Sequence, residues 1–230
     1  MLSAAPASAG KGPAEIEYGN NFFSPNDAGP VDVRPYGPEG VWDSAQPNVD
    51  HNVFEDSGLF RSGPPGQGQE FREEISAGEW HYYCTVHGSV LGGMDGTIGV
   101  RPIAQRGDGN SALIRWADND TATGDAYEVE WRRQGKKWQL WKESTVKPKL
   151  EFGRRGFPVD AEPGQKYEVR VRSFRAKNPS KKSGLSPDVA FKVTARSLIQ
   201  GLPPRARPYL GRGRIDHRAD DRPRPARRSR

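Results

Sequence analysis

The chain has 230 residues, of which 33% are hydrophobic, and it contains 27 glycines and 20 prolines. This length and composition favour two small, loop-rich β domains rather than long helices. There is no run of about 18 apolar residues, which excludes a membrane-spanning helix, and the single cysteine excludes an internal disulfide. The net charge of +6 is local, because residues 201–230 carry ten arginines against three aspartates and the rest of the chain has a charge of −1.

Residues 1–12 are interpreted either as a disordered N-terminus or as the remnant of a signal peptide. Ala7, Ser8 and Ala9 have the small-residue spacing that precedes a signal cleavage site. The charged start and apolar core of a signal peptide are missing from this segment. Both interpretations stay open.

Residues 13–102 contain short alternating segments separated by glycine and proline, which predict the strands of a β-sandwich. The predicted strands are 15–18, 31–34, 41–42, 69–75, 80–84 and 95–100. A polar loop over 43–50 leads into His51, just before an apolar pair. This is a suitable place for a metal ligand at the start of a strand, and an exposed loop histidine is the alternative.

Cys84 ends a run in which Trp80, Tyr82 and Cys84 share one face of a predicted strand. His81 and Tyr83 point to the opposite face, so His81 is excluded as a partner of the thiolate. A lone cysteine is most often a small buried hydrophobic residue. With a histidine elsewhere it can also be a nucleophile paired with a base.

Two further residues close to Cys84 favour metal binding over these alternatives. His87 follows three residues later, and Met94 comes after the glycine-rich segment 88–93, which can fold both side chains back towards the thiolate. Thiolate, imidazole and thioether form a soft ligand set that suits copper, and a blue-copper centre adds a second histidine. His51 is the candidate for that second histidine.

Three segments of residues 13–101 carry a resemblance to a known family. They are His51-Asn-Val53 with the following Ser62-Gly63, Tyr82-Tyr-Cys-Thr-Val-His87, and Met94-Asp-Gly-Thr-Ile98. In this order they are similar to the copper-binding segments of the cupredoxins, specifically the plastocyanin/azurin-like group. The loop between His87 and Met94 is longer than the one in plant plastocyanin.

The resemblance implies an all-β, cupredoxin-like Greek-key sandwich with one type 1 copper ion. The implied copper ligands are His51, Cys84, His87 and Met94. The resemblance also implies that Asn52, together with Thr85, fixes the ligand loops. Tyr83 corresponds to an exposed tyrosine of an electron-transfer surface, and a cross-strand packing tyrosine is the equal alternative.

From residue 103 the alternating pattern restarts and predicts a second antiparallel sandwich over 103–196. Its predicted strands are 111–116, 126–132, 138–142, 166–173 and 189–193. Trp116, the Tyr-Glu-Val-Arg-Val-Arg run from Tyr167, and Ser183-Gly-Leu-Ser-Pro187 resemble a fibronectin type III domain, which is an immunoglobulin-like sandwich. This segment has no histidine or cysteine, so we expect a spacer or protein-contact module.

Residues 197–230 are rich in arginine and proline and poor in apolar residues, which predicts a disordered basic tail. A basic arm binds polyanions by counterion release. The arginine–proline pattern lacks interleaved aromatics, so we expect no nucleic-acid binding. In an exported protein the polyanions would be cell-wall or membrane-surface groups.

These patterns support three functional hypotheses. The first is a mononuclear type 1 copper protein that transfers single electrons to or from an unidentified redox protein, and is not an enzyme. The second is copper binding or delivery, and the third is surface adhesion through the fibronectin-like domain with a structural copper domain. Four histidines in all are too few for a multicopper oxidase. Because copper proteins are commonest outside the cytoplasm, we expect an extracytoplasmic location: periplasmic, cell-surface or secreted.

Overall fold

The computed structural model describes residues 13–19, 22–32, 39–45, 48–88, 93–107, 110–118, 123–154 and 156–194. Every regular element in these ranges is a β-strand, which confirms the predicted all-β fold class. Within the same ranges, no helix is long and apolar enough to cross a membrane. The predictions for residues 1–12 and 197–230 lie outside the described residues.

Eight strands form the first half of this fold. They are β1 (Ala14–Gly19), β2 (Phe22–Ser24), β3 (Asp27–Asp32), β4 (Glu39–Ser44), β5 (Phe54–Glu55), β6 (Phe71–Glu74), β7 (Gly78–Tyr83) and β8 (Asp95–Arg101). One sheet has the order β2-β1-β4-β6 and the other has the order β3-β8-β7-β5. The pairs β1/β4 and β3/β8 are parallel, so both sheets are mixed.

The core between these sheets follows from the alternation in β7. Trp80 and Tyr82 are fully buried, whereas the residues between and beside them are exposed or half-buried. Trp42 from β4 meets the Tyr82 ring at a centroid distance of 5.3 Å in an edge-to-face contact. Cys84 continues the buried face beyond the end of β7, so its thiol points into the sandwich.

Eight strands form the second half. They are β9 (Ile103–Arg106), β10 (Ala112–Arg115), β11 (Ala126–Arg133), β12 (Gln139–Thr145), β13 (Lys149–Phe152), β14 (Lys166–Arg175), β15 (Asn178–Lys182) and β16 (Val189–Lys192). A sheet of order β13-β10-β9 faces a sheet of order β12-β11-β14-β15, with β16 also paired to β14. Trp116, Phe152 and Tyr167 are fully buried in its core.

The strongly alternating predicted strands are present, and the strands that were not predicted are short. β3 is the clearest difference: a strand is predicted over 31–34, whereas β3 spans Asp27–Asp32 and starts within the sequence Asp-Ala-Gly-Pro, which has no strand-like alternation. Residues 33 and 34 lie outside the described residues. It pairs with β8 through a register shift between Ala28 and Val31. Its pairing with a buried neighbour therefore outweighs its weak local propensity.

The topology places three chain segments at one end of the first sandwich. Cys84 directly follows β7, Met94 directly precedes β8, and His51 lies three residues before β5. Because β5 and β7 pair, as do β7 and β8, these three segments are neighbours in space.

Candidate metal centre

Three of the predicted ligands meet at this end of the first sandwich. The Cys84 Sγ atom lies 3.8 Å from His51 Nδ1 and 3.7 Å from His87 Nδ1. The two Nδ1 atoms are 3.2 Å apart. Among the described residues, these three side chains form the one cluster of histidine, cysteine or acidic groups with metal-binding geometry.

The distances within this triangle can be compared with metal–ligand bond lengths. A point equidistant from the three atoms lies about 2.1 Å from each, which falls within the range of about 2.0–2.3 Å that zinc–nitrogen and zinc–thiolate bonds span in proteins. A ring of two nitrogens and one sulfur is also the trigonal donor set of a blue-copper site. The three donor atoms are therefore spaced to bind a single metal ion of this size.

Burial favours the neutral form of the His51 imidazole. His51 and Cys84 are fully buried and His87 is half-buried. Burial, followed by the nearby charge of His87, lowers the pKa of His51 below its ordinary value. A lowered pKa favours the neutral ring, which has one nitrogen lone pair available as a ligand.

Met94 is buried beside this triangle. Its backbone N–H donates to the His87 carbonyl oxygen at 3.1 Å, and its carbonyl oxygen accepts from the Cys84 N–H at 3.0 Å. These two bonds close the loop between Cys84 and Met94, of which residues 89–92 lie outside the description. The predicted axial role of its thioether stays a prediction.

Asn52 joins the two ligand segments by hydrogen bonds from one buried amide. Its Oδ1 accepts from the Thr85 N–H at 2.8 Å and from the Thr85 hydroxyl at 3.1 Å. Its Nδ2 donates to the Gly63 carbonyl oxygen at 3.1 Å. Since Asn52 follows His51 and Thr85 follows Cys84, this side chain fixes the separation of the two ligands.

The backbone around His51 is paired as well. His51 and Gly66 exchange both of their backbone hydrogen bonds, at 3.1 and 3.0 Å. Val53 donates its N–H to the Ser62 hydroxyl at 2.9 Å and accepts from the Ser62 N–H at 2.9 Å. The loop that carries His51 is therefore held as firmly as a strand.

Tyr18, which sequence reasoning did not single out, supports the His51 ring. Its ring meets the His51 imidazole edge-on, with a centroid distance of 5.6 Å. Its hydroxyl donates to the Gln69 carbonyl oxygen. The outer ring nitrogen of His51, Nε2, is buried and has no hydrogen-bond partner among the described residues. In metal sites a hydrogen bond at the second ring nitrogen usually orients the histidine. Here packing against Tyr18 orients the imidazole instead.

Tyr83 and His81 occupy the other face of β7, as the alternation predicts. Tyr83 is half-buried and packs across the strands on Phe54, with a ring-centroid distance of 5.6 Å. A cross-strand packing contact is thus present, and the electron-transfer surface stays a prediction. His81 lies in ion pairs with Asp56 and Asp95, at 2.8 and 3.1 Å, and is not part of the metal cluster.

Comparison with known proteins adds little to this geometry. No family model and no curated protein sequence matches the chain. A solved structure described as a myokine is 16% identical over 40% of this chain and 92% of its own, with a TM-score of 0.32. The FN1–FN3 domains of chicken CNTN1 are 10% identical over 65% of this chain and 57% of their own, with a TM-score of 0.31. At these scores neither likeness carries an argument about this chain.

We expect His81 to give the first sandwich a pH-dependent stability. Burial lowers the pKa of His81, but the hydrogen bonds to Asp95 and Asp56 outweigh it and raise the pKa above its ordinary 6.5. Only the doubly protonated ring can donate to both carboxylates. The stabilisation is therefore complete below about pH 6.5, the unfolded-state pKa, and is lost as the pH rises through the raised folded-state value.

We expect the free energy of unfolding to fall by about 0.5 kcal/mol across that window, because the pair is partly exposed and screened. The measurement is the urea midpoint of the metal-free protein between about pH 5.5 and 9. His81→Gln, which keeps an uncharged amide donor in place of the titrating ring, should flatten the profile. An equal slope in that variant would assign the effect to another group.

Proposed function

We propose that this protein binds one copper ion in a type 1 site and transfers single electrons. The observation that carries the proposal is the triangle of Cys84 Sγ and the Nδ1 atoms of His51 and His87, whose sides are 3.8, 3.7 and 3.2 Å. This donor set is that of blue-copper centres. Copper supplies a one-electron couple between Cu(I) and Cu(II) when it is bound.

The residues around the triangle support fast electron transfer because they keep its geometry fixed. Asn52 bonds the Cys84 segment to the His51 loop, and the Met94 backbone closes the other side. Tyr18 restrains the His51 ring. A site that cannot relax towards the preferred geometry of either oxidation state reorganises little during the electron step.

His87 offers the shortest route to solvent from the triangle. It is half-buried, whereas His51 and Cys84 are fully buried. The neighbouring Val86 is 53% exposed, so an apolar side chain lies at the surface next to His87 in the chain. We propose that a redox protein docks at this end and exchanges electrons through the His87 ring.

The second sandwich is proposed to be a fibronectin type III-like domain. The sheet orders β13-β10-β9 and β12-β11-β14 support an immunoglobulin-like sandwich. We propose an extracytoplasmic location for the whole chain, and that this domain contacts a protein or the cell surface.

Voltammetry of the protein loaded with one equivalent of copper tests the proposal. We expect a reversible one-electron wave, with no copper lost to a soluble Cu(I) chelator while the protein cycles. Rapid copper release on reduction would instead indicate copper delivery with the same ligands. No reversible wave, with copper retained, would leave a structural copper domain and favour the adhesion hypothesis.

A further inference from the structure

The connection between the two sandwiches leaves no room for a flexible linker. β8 ends at Arg101 and β9 begins at Ile103, so Pro102 is the one residue between them. Pro102 is buried, and its ring fixes the backbone φ angle. A hinge between the sandwiches would need mobile residues that are missing here.

The two residues directly before β7, Ser76 and Ala77, are hydrogen-bonded to the second sandwich. The Ser76 N–H donates to Thr123 Oγ1 at 2.7 Å, and the Ala77 N–H donates to the Trp116 carbonyl oxygen at 2.7 Å. Ser76 Oγ donates to Ser173 Oγ at 2.9 Å, and Ser173 Oγ donates to the Ala77 carbonyl oxygen at 2.7 Å. All five residues are buried, with Thr123 and Ser173 among the fully buried polar residues.

A second set of contacts brings the two backbones together without side chains between them. Glu79 and Gly184 exchange backbone hydrogen bonds at 3.1 and 2.7 Å. A Cβ atom on Gly78 would lie 2.4 Å from Ser183 Oγ, and one on Gly99 would lie 3.0 Å from Pro187 Cγ. The lack of a side chain at these glycines permits this close approach.

The apolar interior continues through the same contact. Ile75, Ala77 and Trp80 of the first sandwich and Ile114 and Trp116 of the second belong to one cluster of buried hydrophobic residues. The described residues between 13 and 194 accordingly form one compact unit. Separating the sandwiches would expose this apolar surface as well as the buried hydrogen bonds.

We propose that the two sandwiches unfold as one cooperative unit, so that metal bound by His51, Cys84 and His87 also stabilises the second sandwich. The metal-linked half of this inference rests on the proposed function, whereas the cooperative half does not. The second sandwich is then part of the metal domain's fold rather than a spacer that moves independently. Its contact surfaces depend on the integrity of the first sandwich.

The cooperative half is tested on the metal-free full chain by hydrogen exchange at increasing urea concentration, read by mass spectrometry. We expect slowly exchanging amides of β7 and β8 and those of β11 and β14 to share one midpoint and one urea dependence. Different midpoints for the two sets in the unaltered chain would overturn the proposal.

Two variants sharpen this test. Tyr167→Phe removes a hydrogen bond with the Glu162 N–H, which spans 3.0 Å inside the second sandwich and away from β7. In a coupled protein this variant lowers both midpoints equally, and a shift confined to β11 and β14 would refute coupling. Thr123→Val with Ser173→Ala removes the side-chain hydrogen bonds to Ser76 and to the Ala77 carbonyl oxygen and should separate the midpoints. If that double variant does not fold, Tyr167→Phe still decides the question.

The metal-linked half is tested by adding Cu(II) to about 100 times its dissociation constant. Because copper binds the folded state and not the unfolded state, it then lowers the equilibrium constant for opening of both amide sets by about 100-fold. Protection gained by β7 and β8 alone would contradict the coupling. Protection gained by neither set would show that the proposed metal binding fails, while the metal-free result would still stand.

Discussion

Cys84→Ser should abolish the intense visible absorption that one equivalent of Cu(II) produces in the unaltered protein. That band requires a copper–thiolate bond, and Cys84 is the one cysteine of the chain. Copper affinity should fall more than 100-fold, since loss of an outer hydrogen-bonding partner of a metal site already costs about 10–100-fold. The measurements are the absorption spectrum and competition with a chelator of known affinity.

Two comparisons distinguish loss of the copper–thiolate bond from a general loss of folding. A serine hydroxyl at position 84 can still donate to one of the flanking Nδ1 atoms, so the metal-free variant should fold. His81→Gln removes a histidine outside the triangle and should keep the band unchanged. A persistent band in Cys84→Ser, or a colourless unaltered protein, would remove the basis for the type 1 site.

Asn52→Leu should lower the free energy of unfolding by about 2 kcal/mol, because it replaces a buried amide that forms three hydrogen bonds with an apolar side chain of nearly the same size. The Thr85 N–H, the Thr85 hydroxyl and the Gly63 carbonyl oxygen lose their shared partner. Copper affinity should fall about 10–100-fold as the two ligand segments separate. Urea denaturation of the metal-free protein and copper competition measure the two effects.

Asn178→Leu is the matched control for this substitution. Asn178 is exposed, and its Oδ1 accepts from the Ser180 hydroxyl at 2.8 Å, far along the chain from the metal ligands. We expect a change of less than about 0.5 kcal/mol in stability and unchanged copper affinity. Equal losses in the two variants would mean that Asn52 has no special place at the site.

Much of the site follows from local pattern. Alternation over residues 80–84 predicts that Cys84 faces the core and His81 does not, and the structure agrees. The spacing from Cys84 to His87 allows both donors to turn towards one point, and their atoms lie 3.7 Å apart. Such inferences succeed because side-chain direction along a strand has a strict period of two.

Other parts of the site depend on residues distant in sequence. Tyr18 lies on β1, 33 residues before His51, and nothing in its neighbourhood distinguishes it from an ordinary core tyrosine. The ion pairs of His81 need β5, β7 and β8 to be adjacent. Sheet pairing sets these contacts, and a single sequence does not state which strands pair.

The sequence by itself determined the all-β class, the soft donor set and the positions of Cys84 and His87, because these depend on composition, alternation and short spacing. The sequence offers His51 and Asn52 only as candidates for their roles at the site. The tertiary structure decided that His51 Nδ1 completes the triangle, which groups Asn52 bonds, and that the sandwiches share buried contacts at Ser76 and Ser173. The physical reason is the distance along the chain over which each effect acts. Periodicity acts over a few residues, whereas these contacts join residues 33 to 97 positions apart and arise from packing of the whole chain.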